Sequence, residues 1–302
     1  MVITRLIGGL GNQLFQYAAG RRLAHVHGAE LKMDLSGLSN PGYRTVRHYE
    51  LESFGVKQAF ATSKELEKFT QPYSPLTRIL NRITRRSIRL PESYIREAHY
   101  HFDMRILDMP DGVYLDGYWQ SERYFADVAD VIRADLTITA PAEGRNLELL
   151  EQIESCNAVS VHVRRGDYVS DKNTADYHGT CGLDYYHRAI QYVANATVKP
   201  DLFIFSDDPD WVRVNLNVPY PLTIVDHNGP ERCVEDLRLM SACRHHILAN
   251  SSFSWWGAWL DPRPEKIVVA PKQWFRRTDM NTVDLLPAGW IRLPCTLVLE
   301  ET

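Results

Sequence analysis

The sequence lacks any segment that would cross a membrane as a helix. Its apolar runs all fall short of the ~20 residues that a bilayer requires, and the N-terminus has neither a basic leader nor a long apolar core. The sequence also lacks a basic excess, because 38 acidic residues outnumber 34 Lys and Arg residues. These absences predict a cytoplasmic protein and argue against one that coats nucleic acid.

Cysteine is scarce and widely spaced. The five cysteines form neither a CxxC pair nor a disulfide framework, so we assign all of them to packing or to loops. Apolar residues are plentiful by comparison: 44% of the 302 residues are hydrophobic and 11% are aromatic, which excludes a largely disordered chain. The length fits one large or two medium domains.

The first forty residues have the pattern of a β-α-β unit. The β-rich segment 2–7 runs into Gly8, Gly9 and Gly11, and apolar residues then recur at helical spacing up to Gly28. The segment 31–35 alternates like a strand with one buried face. A glycine loop is therefore predicted between a strand and the start of a helix.

The second half alternates between strand-like and helix-like segments. The apolar runs are 158–163, 202–206, 221–226, 246–250 and 266–270. Short runs that are apolar on both faces and linked by helices are typical of a parallel sheet covered on both sides. We predict an α/β protein of two domains, 1–145 and 146–302.

One basic segment, 76–90, carries five arginines interleaved with Ile and Leu and contains no acidic residue. It predicts either an amphipathic helix on an anionic surface or a solvated helix or lid.

Ligands of open parallel sheets bind outside the carboxyl ends of the strands, so the residues after each predicted strand are the candidates for a site. The glycine loop is not the dinucleotide motif GxGxxG, since Leu14 replaces its last glycine. Gly9, Gly11 and Asn12 would nevertheless let a ligand approach backbone N–H groups at a helix start. A tight turn without a ligand is the alternative.

The run His162-Val163-Arg164-Arg165-Gly166-Asp167 lies at the end of the strand 158–163. Two adjacent arginines at a strand end favour an anionic ligand, because guanidinium is permanently charged and matches phosphate oxygens in a bidentate fashion. A salt bridge from Asp167 to one arginine is the structural alternative.

Two further strand ends are polar. Asp207, Asp208 and Asp210 come after the strand 202–206, and they would bind a purine edge, a ribose or a metal, or Asp208 would cap the next helix. The second end is the run Ser251-Ser252-Phe253, which begins a helix that continues with tryptophans. Hydroxyl and N–H groups at a helix start favour an anion, and the tryptophans would stack on a sugar or pack in the core. Together these strand ends predict a nucleoside diphosphate site.

The chain resembles the bacterial α-1,2-fucosyltransferases of glycosyltransferase family 11. The matching motifs, in order, are GGLGNQLFQYAAGRRLA, GYWQSERYF, HVRRGDY, FSDD and ANSSFSWWGAWL. The resemblance implies a GT-B fold of two facing Rossmann-like domains, a GDP-β-L-fucose donor, a terminal galactose acceptor in a bacterial surface glycan, and inversion without a metal or other cofactor.

The resemblance also implies roles for individual residues. Arg164 would contact the β-phosphate, Asp208 the guanine, Ser251 or Ser252 a phosphate, and Asn12 would lie near the reacting centre. The predicted donor site comprises Gly9, Gly11, Asn12, His162, Arg164, Arg165, Asp208, Ser251, Ser252 and Phe253. Asp167 and then His162 are the candidates for the base that takes the acceptor proton.

Three other interpretations remain open at this point. The first is an inverting transferase that uses another GDP-sugar, and the second is a non-catalytic protein that binds a nucleotide sugar or a glycan. An NAD-dependent oxidoreductase is disfavoured because the GxGxxG pattern fails. Contact of segment 76–90 with the inner membrane face is a separate hypothesis.

Overall fold

The computed structural model describes residues 1–39, 47–70, 91–166, 169 and 171–298, the side chains of 172 and 173 excepted. These residues form two compact units, Met1–Thr137 and Ile138–Thr302. Residues 138–145, which the predicted boundary placed in the first domain, belong to the second unit. Among the helices described, none is both long and apolar enough to span a bilayer.

The first unit is built on a parallel sheet. Its strands are β1 (Val2–Arg5), β2 (Leu31–Asp34), β3 (Tyr94–Arg96) and β4 (Tyr114–Asp116), in the spatial order β2-β1-β4-β3. Its helices are α1 (Leu10–Val26), α2 (Ser63–Thr70) and α3 (Ala129–Asp135), with 3₁₀ turns at Met104–Asp108, Glu122–Tyr124 and Ala126–Val128. The predicted β-α-β unit is confirmed as β1, α1 and β2.

The sequence did not predict β3. Among the described strands it pairs with β4 alone, at the edge of the sheet, and its residues are half-buried or exposed. Such a short edge strand lacks the alternation that marks a strand with one buried face. Its position matters because Glu97 comes directly after it.

The second unit contains the larger sheet. Its strands are β5 (Asn157–Val163), β6 (Thr180–Cys181), β7 (Pro200–Ser206), β8 (Leu222–Val225), β9 (His245–Ile247), β10 (Val268–Pro271), β11 (Ile291–Leu293) and β12 (Leu297–Val298). Its helices are α4 (Arg145–Ser155), α5 (Lys172–His178), α6 (Leu183–Ala196), α7 (Pro209–Asn215), α8 (Cys233–Ala242) and α9 (Ser252–Leu260), with a 3₁₀ turn at Pro230–Arg232.

Six of these strands form one parallel sheet in the order β11-β10-β9-β5-β7-β8, and β6 pairs with β12 in antiparallel fashion. The central strand β5 is buried on both faces. Val159 and Val161 pack in a cluster with Tyr185, whereas Ala158 packs in a second cluster with Phe203. The predicted α/β class with parallel sheets is therefore confirmed.

A buried polar network crosses this sheet. His246 of β9 lies between the Ser160 hydroxyl, 2.9 Å from Nδ1, and the Asp261 carboxylate, 3.1 Å from Nε2. Since a carboxylate only accepts, Nε2 carries the hydrogen and Nδ1 accepts from Ser160. Arg263 donates to the other Asp261 oxygen at 2.7 Å. His245 and His246 are both buried residues of β9.

Burial lowers the pKa of His246 from its usual 6.5 to about 4. The folded protein therefore holds this imidazole neutral at pH values where the unfolded chain protonates it. The unfolded state then binds more protons between pH 6.5 and about 4, so stability falls as the pH falls through that window.

We expect the free energy of unfolding to decrease between about pH 7 and about pH 5, with His246 contributing up to about 1.4 kcal/mol per pH unit below its unfolded pKa. Urea denaturation of the wild type and of His246→Gln at both pH values measures this contribution. The variant should show the shallower pH dependence. Equal slopes for the two proteins would contradict the assignment.

Candidate active site

Two arginine–aspartate pairs join the carboxyl ends of β5 and β7. Arg164 Nη1 lies 2.6 Å from Asp207 Oδ2, and Arg165 Nε lies 3.0 Å from Asp208 Oδ2. The Arg165 backbone N–H also donates to Asp207 at 2.8 Å. A Cβ at Gly166 would lie 2.3 Å from the Asp207 carboxylate, so this close approach requires a glycine.

The two arginines have different surroundings. Only 8% of the Arg165 side chain is exposed, and its guanidinium stacks on Trp211 with Cζ 3.9 Å from the ring centroid. The Arg164 side chain is 28% exposed, and that of its partner Asp207 is 25% exposed. Arg165 is therefore packed inside the protein, where its contacts stabilise the fold. Arg164 is the arginine that a ligand in solution can reach.

Asp208 performs the capping function that was one of its predicted alternatives. Its Oδ1 accepts from the Trp211 N–H at 3.1 Å at the start of α7, while its Oδ2 pairs with Arg165. Asp210 pairs instead with Arg213 at 2.6 Å. Contact between Asp208 and guanine remains a prediction.

His162 is buried at the end of β5. Burial and, to a lesser extent, the nearby Arg164 charge lower its pKa to about 3. Its Nδ1 is buried and has no hydrogen-bond partner among the described residues. This environment keeps the imidazole neutral, and the role of His162 as the second candidate for the base remains a prediction.

The start of α9 lies close to this strand end. Ser251 is the N-cap residue, and its Oγ accepts from the Phe253 N–H at 3.3 Å. The Phe253 and His162 rings are 5.8 Å apart, which places the first turn of α9 beside the end of β5. The structure thus brings together six of the predicted donor residues: His162, Arg164, Arg165, Asp208, Ser251 and Phe253. The half-buried Ser252 lies between the last two of them.

The tryptophans of α9 belong to the core. Trp255 and Trp256 are fully buried, and Trp255 Nε1 donates to the Leu285 carbonyl at 2.9 Å. Of the two predicted roles, core packing is therefore the one observed.

Sequence reasoning missed Asn250, which precedes the N-cap of α9. This buried amide donates to the carbonyls of His178, Gly179 and Trp274 at 3.1 to 3.3 Å, and it accepts from the Cys181 thiol. It therefore ties the segment 178–181 and the loop at Trp274 to the start of α9. The signal available in the sequence was a polar residue at the end of an apolar strand.

The glycine loop of the first unit is held by two glutamines that sequence reasoning also missed. Gln13 donates to the Gly8 carbonyl at 3.0 Å, and Gln16 accepts from the Ile7 N–H at 2.9 Å. Both are fully buried on α1. Gly8 has a φ of +79°, a conformation that favours glycine, and Gly9 is the N-cap residue of α1. Gly11 is buried in the first turn.

Asn12 lies in that first turn. Its Oδ1 accepts from Gln120 Nε2 at 2.7 Å. Gly9, Gly11 and Asn12 thus form a group in the first unit, separate in the chain from the arginine group of the second unit.

Two predictions fall on residues outside the described ranges. Asp167, the first candidate for the base, is one of them, and the basic segment 76–90 is the other. The proton-accepting role and the membrane contact remain predictions. Among the side chains that the structure describes, no three His, Cys, Asp or Glu residues are grouped to hold a metal ion.

Comparison with known proteins identifies the family. Residues 1–293 match the sequence model of Glycosyl transferase family 11. The chain therefore belongs to this family and is a glycosyltransferase, which confirms the resemblance found in the motifs.

Three relatives illustrate the range of the match. An alpha-1,2-colitosyltransferase of Escherichia coli is 35% identical over 298 residues, covering 97% of this chain and 99% of the relative. The O-antigen biosynthesis glycosyltransferase WbnK of Escherichia coli is 31% identical over 302 residues, covering 95% and 99%. A galactoside 2-alpha-L-fucosyltransferase of Caenorhabditis elegans is 28% identical over 221 residues, covering 65% and 57%.

The contrast between the arginines predicts different effects on stability. We expect Arg165→Leu to lower the free energy of unfolding by about 2–3 kcal/mol, because it removes a buried charged hydrogen bond and a cation–π contact. Arg164→Leu should cost less than about 1 kcal/mol, since its ion pair is partly exposed. Urea denaturation measures both, and equal losses would contradict the distinction.

Proposed function

We propose that this glycosyltransferase transfers L-fucose from GDP-β-L-fucose to the 2-hydroxyl of a terminal galactose, with inversion and without a metal, in the synthesis of a bacterial surface glycan such as O-antigen. The partly exposed Arg164 beside the first turn of α9 is the observation that carries this proposal. The names of the relatives support the α-1,2 linkage, the galactoside acceptor and the O-antigen context.

The chemistry of the arginine group suits a departing nucleotide. Cleavage of the bond from fucose C1 to the diphosphate leaves negative charge on GDP and positive charge on an oxocarbenium-like sugar. A guanidinium and the N-terminus of a helix both stabilise that negative charge. One such contact lowers a barrier by about 2.7–4 kcal/mol.

The other predicted residues have complementary roles in this proposal. His162 binds the nucleotide as a neutral hydrogen-bonding group, because its pKa of about 3 keeps it uncharged. Asp167 accepts the proton of the attacking hydroxyl. The acceptor oxygen forms its bond to fucose C1 as the bond from C1 to the diphosphate breaks and GDP departs. A positioned base of this kind contributes about 10²- to 10⁴-fold to the rate.

The metal-free mechanism is supported by the partners of the aspartates. Asp208 is engaged by Arg165 and by the N-terminus of α7, and Asp210 pairs with Arg213. In this proposal an arginine side chain, and not a metal ion, neutralises the charge of the diphosphate.

A second donor sugar has a specific observation in its favour. The relative at 35% identity is an alpha-1,2-colitosyltransferase, so its name combines the same linkage with colitose. Transfer of colitose is therefore the alternative within the same mechanism.

A panel of GDP-sugars tests the proposal. GDP-fucose, GDP-colitose and GDP-mannose would each be incubated with a terminal galactoside, with GDP release measured and the new linkage assigned by NMR. We expect an α-1,2-linked fucose. Transfer of colitose alone would support the alternative, and GDP binding without turnover of any donor would contradict a transferase.

The same assay with EDTA tests the metal-free mechanism. Transfer should continue in its presence. A full loss that Mn²⁺ restores would instead assign the aspartates after β7 to a metal site.

Arg164→Lys should lower kcat by about 10²- to 10³-fold, because lysine cannot reproduce the bidentate contact with phosphate. Arg213→Lys is the matched control. Arg213 is an exposed, ion-paired arginine on α7, and this variant should retain activity. Steady-state kinetics of both variants measure the effect. Near-normal turnover by Arg164→Lys would remove this residue from the phosphate site.

A further inference from the structure

The carboxyl edge of the first sheet contains a chain of hydrogen bonds that ends on Asn12. The Tyr100 hydroxyl donates to Gln120 Oε1, and Gln120 Nε2 donates to Asn12 Oδ1 at 2.7 Å. Gln120 is buried, whereas Asn12 is partly exposed in the first turn of α1. Open parallel sheets bind ligands at this edge, so the chain of hydrogen bonds ends at a position where a ligand is expected.

A second set of contacts fixes the loop that carries Gln120. Glu97, directly after β3, accepts from the Tyr118 N–H at 2.7 Å and from the Trp119 N–H at 3.0 Å. Trp119 has a φ of +56°, which is uncommon for a residue with a side chain. The Glu97 carboxylate thus holds the loop in the conformation that turns Gln120 toward Asn12.

The direction of the hydrogen bonds determines how Asn12 is oriented. Because Gln120 Oε1 accepts from Tyr100, the NH₂ group of Gln120 faces Asn12. Asn12 therefore accepts this hydrogen bond with its side-chain carbonyl oxygen. The Asn12 Nδ2 then lies over Gly8, where an added Cβ would be only 2.3 Å away. The glycine at position 8 therefore leaves space for a donor NH₂ group above the loop.

We propose that Gln120 is a positioning residue for transfer, held by Glu97 and Tyr100, and that it orients the Asn12 amide with Nδ2 as a hydrogen-bond donor to a substrate bound at the carboxyl edge of the first sheet. This inference rests on the proposed function. Gln120 acts through Asn12 and contacts no substrate itself.

Two substitutions separate orientation from packing. Gln120→Leu removes the hydrogen bond to Asn12, and Gln120→Glu replaces the donor with an acceptor, which favours the reversed Asn12 amide. We expect each to lower kcat by about 10²-fold, the cost of a displaced catalytic contact. The donor KM should stay within about twofold of the wild type, because the Asn12 contact is expected to act on charge that develops in the transition state.

Gln58→Leu is the matched control. Gln58 also accepts from a tyrosine, Tyr49, and donates to a loop carbonyl, that of Val56 at 3.0 Å, in the same unit. This variant should keep the wild-type kcat. Thermal unfolding measured by circular dichroism shows that each variant is folded.

A double-mutant cycle with Asn12→Ala tests whether Gln120 acts through Asn12. In that background Gln120→Leu should cause no further loss, since coupled residues are not additive. The same loss in both backgrounds, or unchanged kcat in both Gln120 variants, would overturn the inference. If Asn12→Ala has no measurable turnover, the kinetics of the two Gln120 variants decide. A lower kcat at an unchanged donor KM supports the inference, and any other combination contradicts it. A wild-type chain that transfers no sugar would instead overturn the proposed function.

Discussion

The pairing of two arginines with two aspartates across neighbouring strand ends is the constraint on which the second unit's site depends. Parallel strands bring residues 164–165 and 207–208 to one edge, where four charges would otherwise be costly. The two pairs differ in burial, because Arg165 is buried against Trp211 whereas Arg164 is partly exposed. The two ion pairs thus neutralise this edge of the sheet, and the Arg164–Asp207 pair is the one that solvent reaches.

Much of the fold could be predicted from the sequence because its strands are buried on both faces. The run 158–163 corresponds to β5, and 202–206 corresponds to β7. Edge strand β3 could not be found in this way, since a strand with one partner and little burial has no periodic signal. Its partner strand lies 20 positions further along the chain, as the pair of Arg96 with Asp116 shows.

The charged residues of the candidate site and Asn12 could be proposed from the sequence, whereas the amides that support the site could not. Arginines, aspartates and a serine-rich helix start stand out in a sequence, because their chemistry is unusual at strand ends. The supporting glutamines and Asn250 do not, since their role is to satisfy backbone groups that only the folded chain brings together. The burial of His162, which lowers its pKa, also required the structure.

The contact between Glu97 and the loop at 118–119 has a consequence for exchanging parts between family members. The carboxylate and the two N–H groups that it accepts from lie at the ends of different strands, so a graft of either segment alone separates them. The transplanted loop would lose the contact that holds Trp119 at its positive φ, and the half-buried Glu97 carboxylate would lose both hydrogen-bond donors. Chimeric transferases that keep both segments from one parent should therefore be the ones that fold with an intact loop.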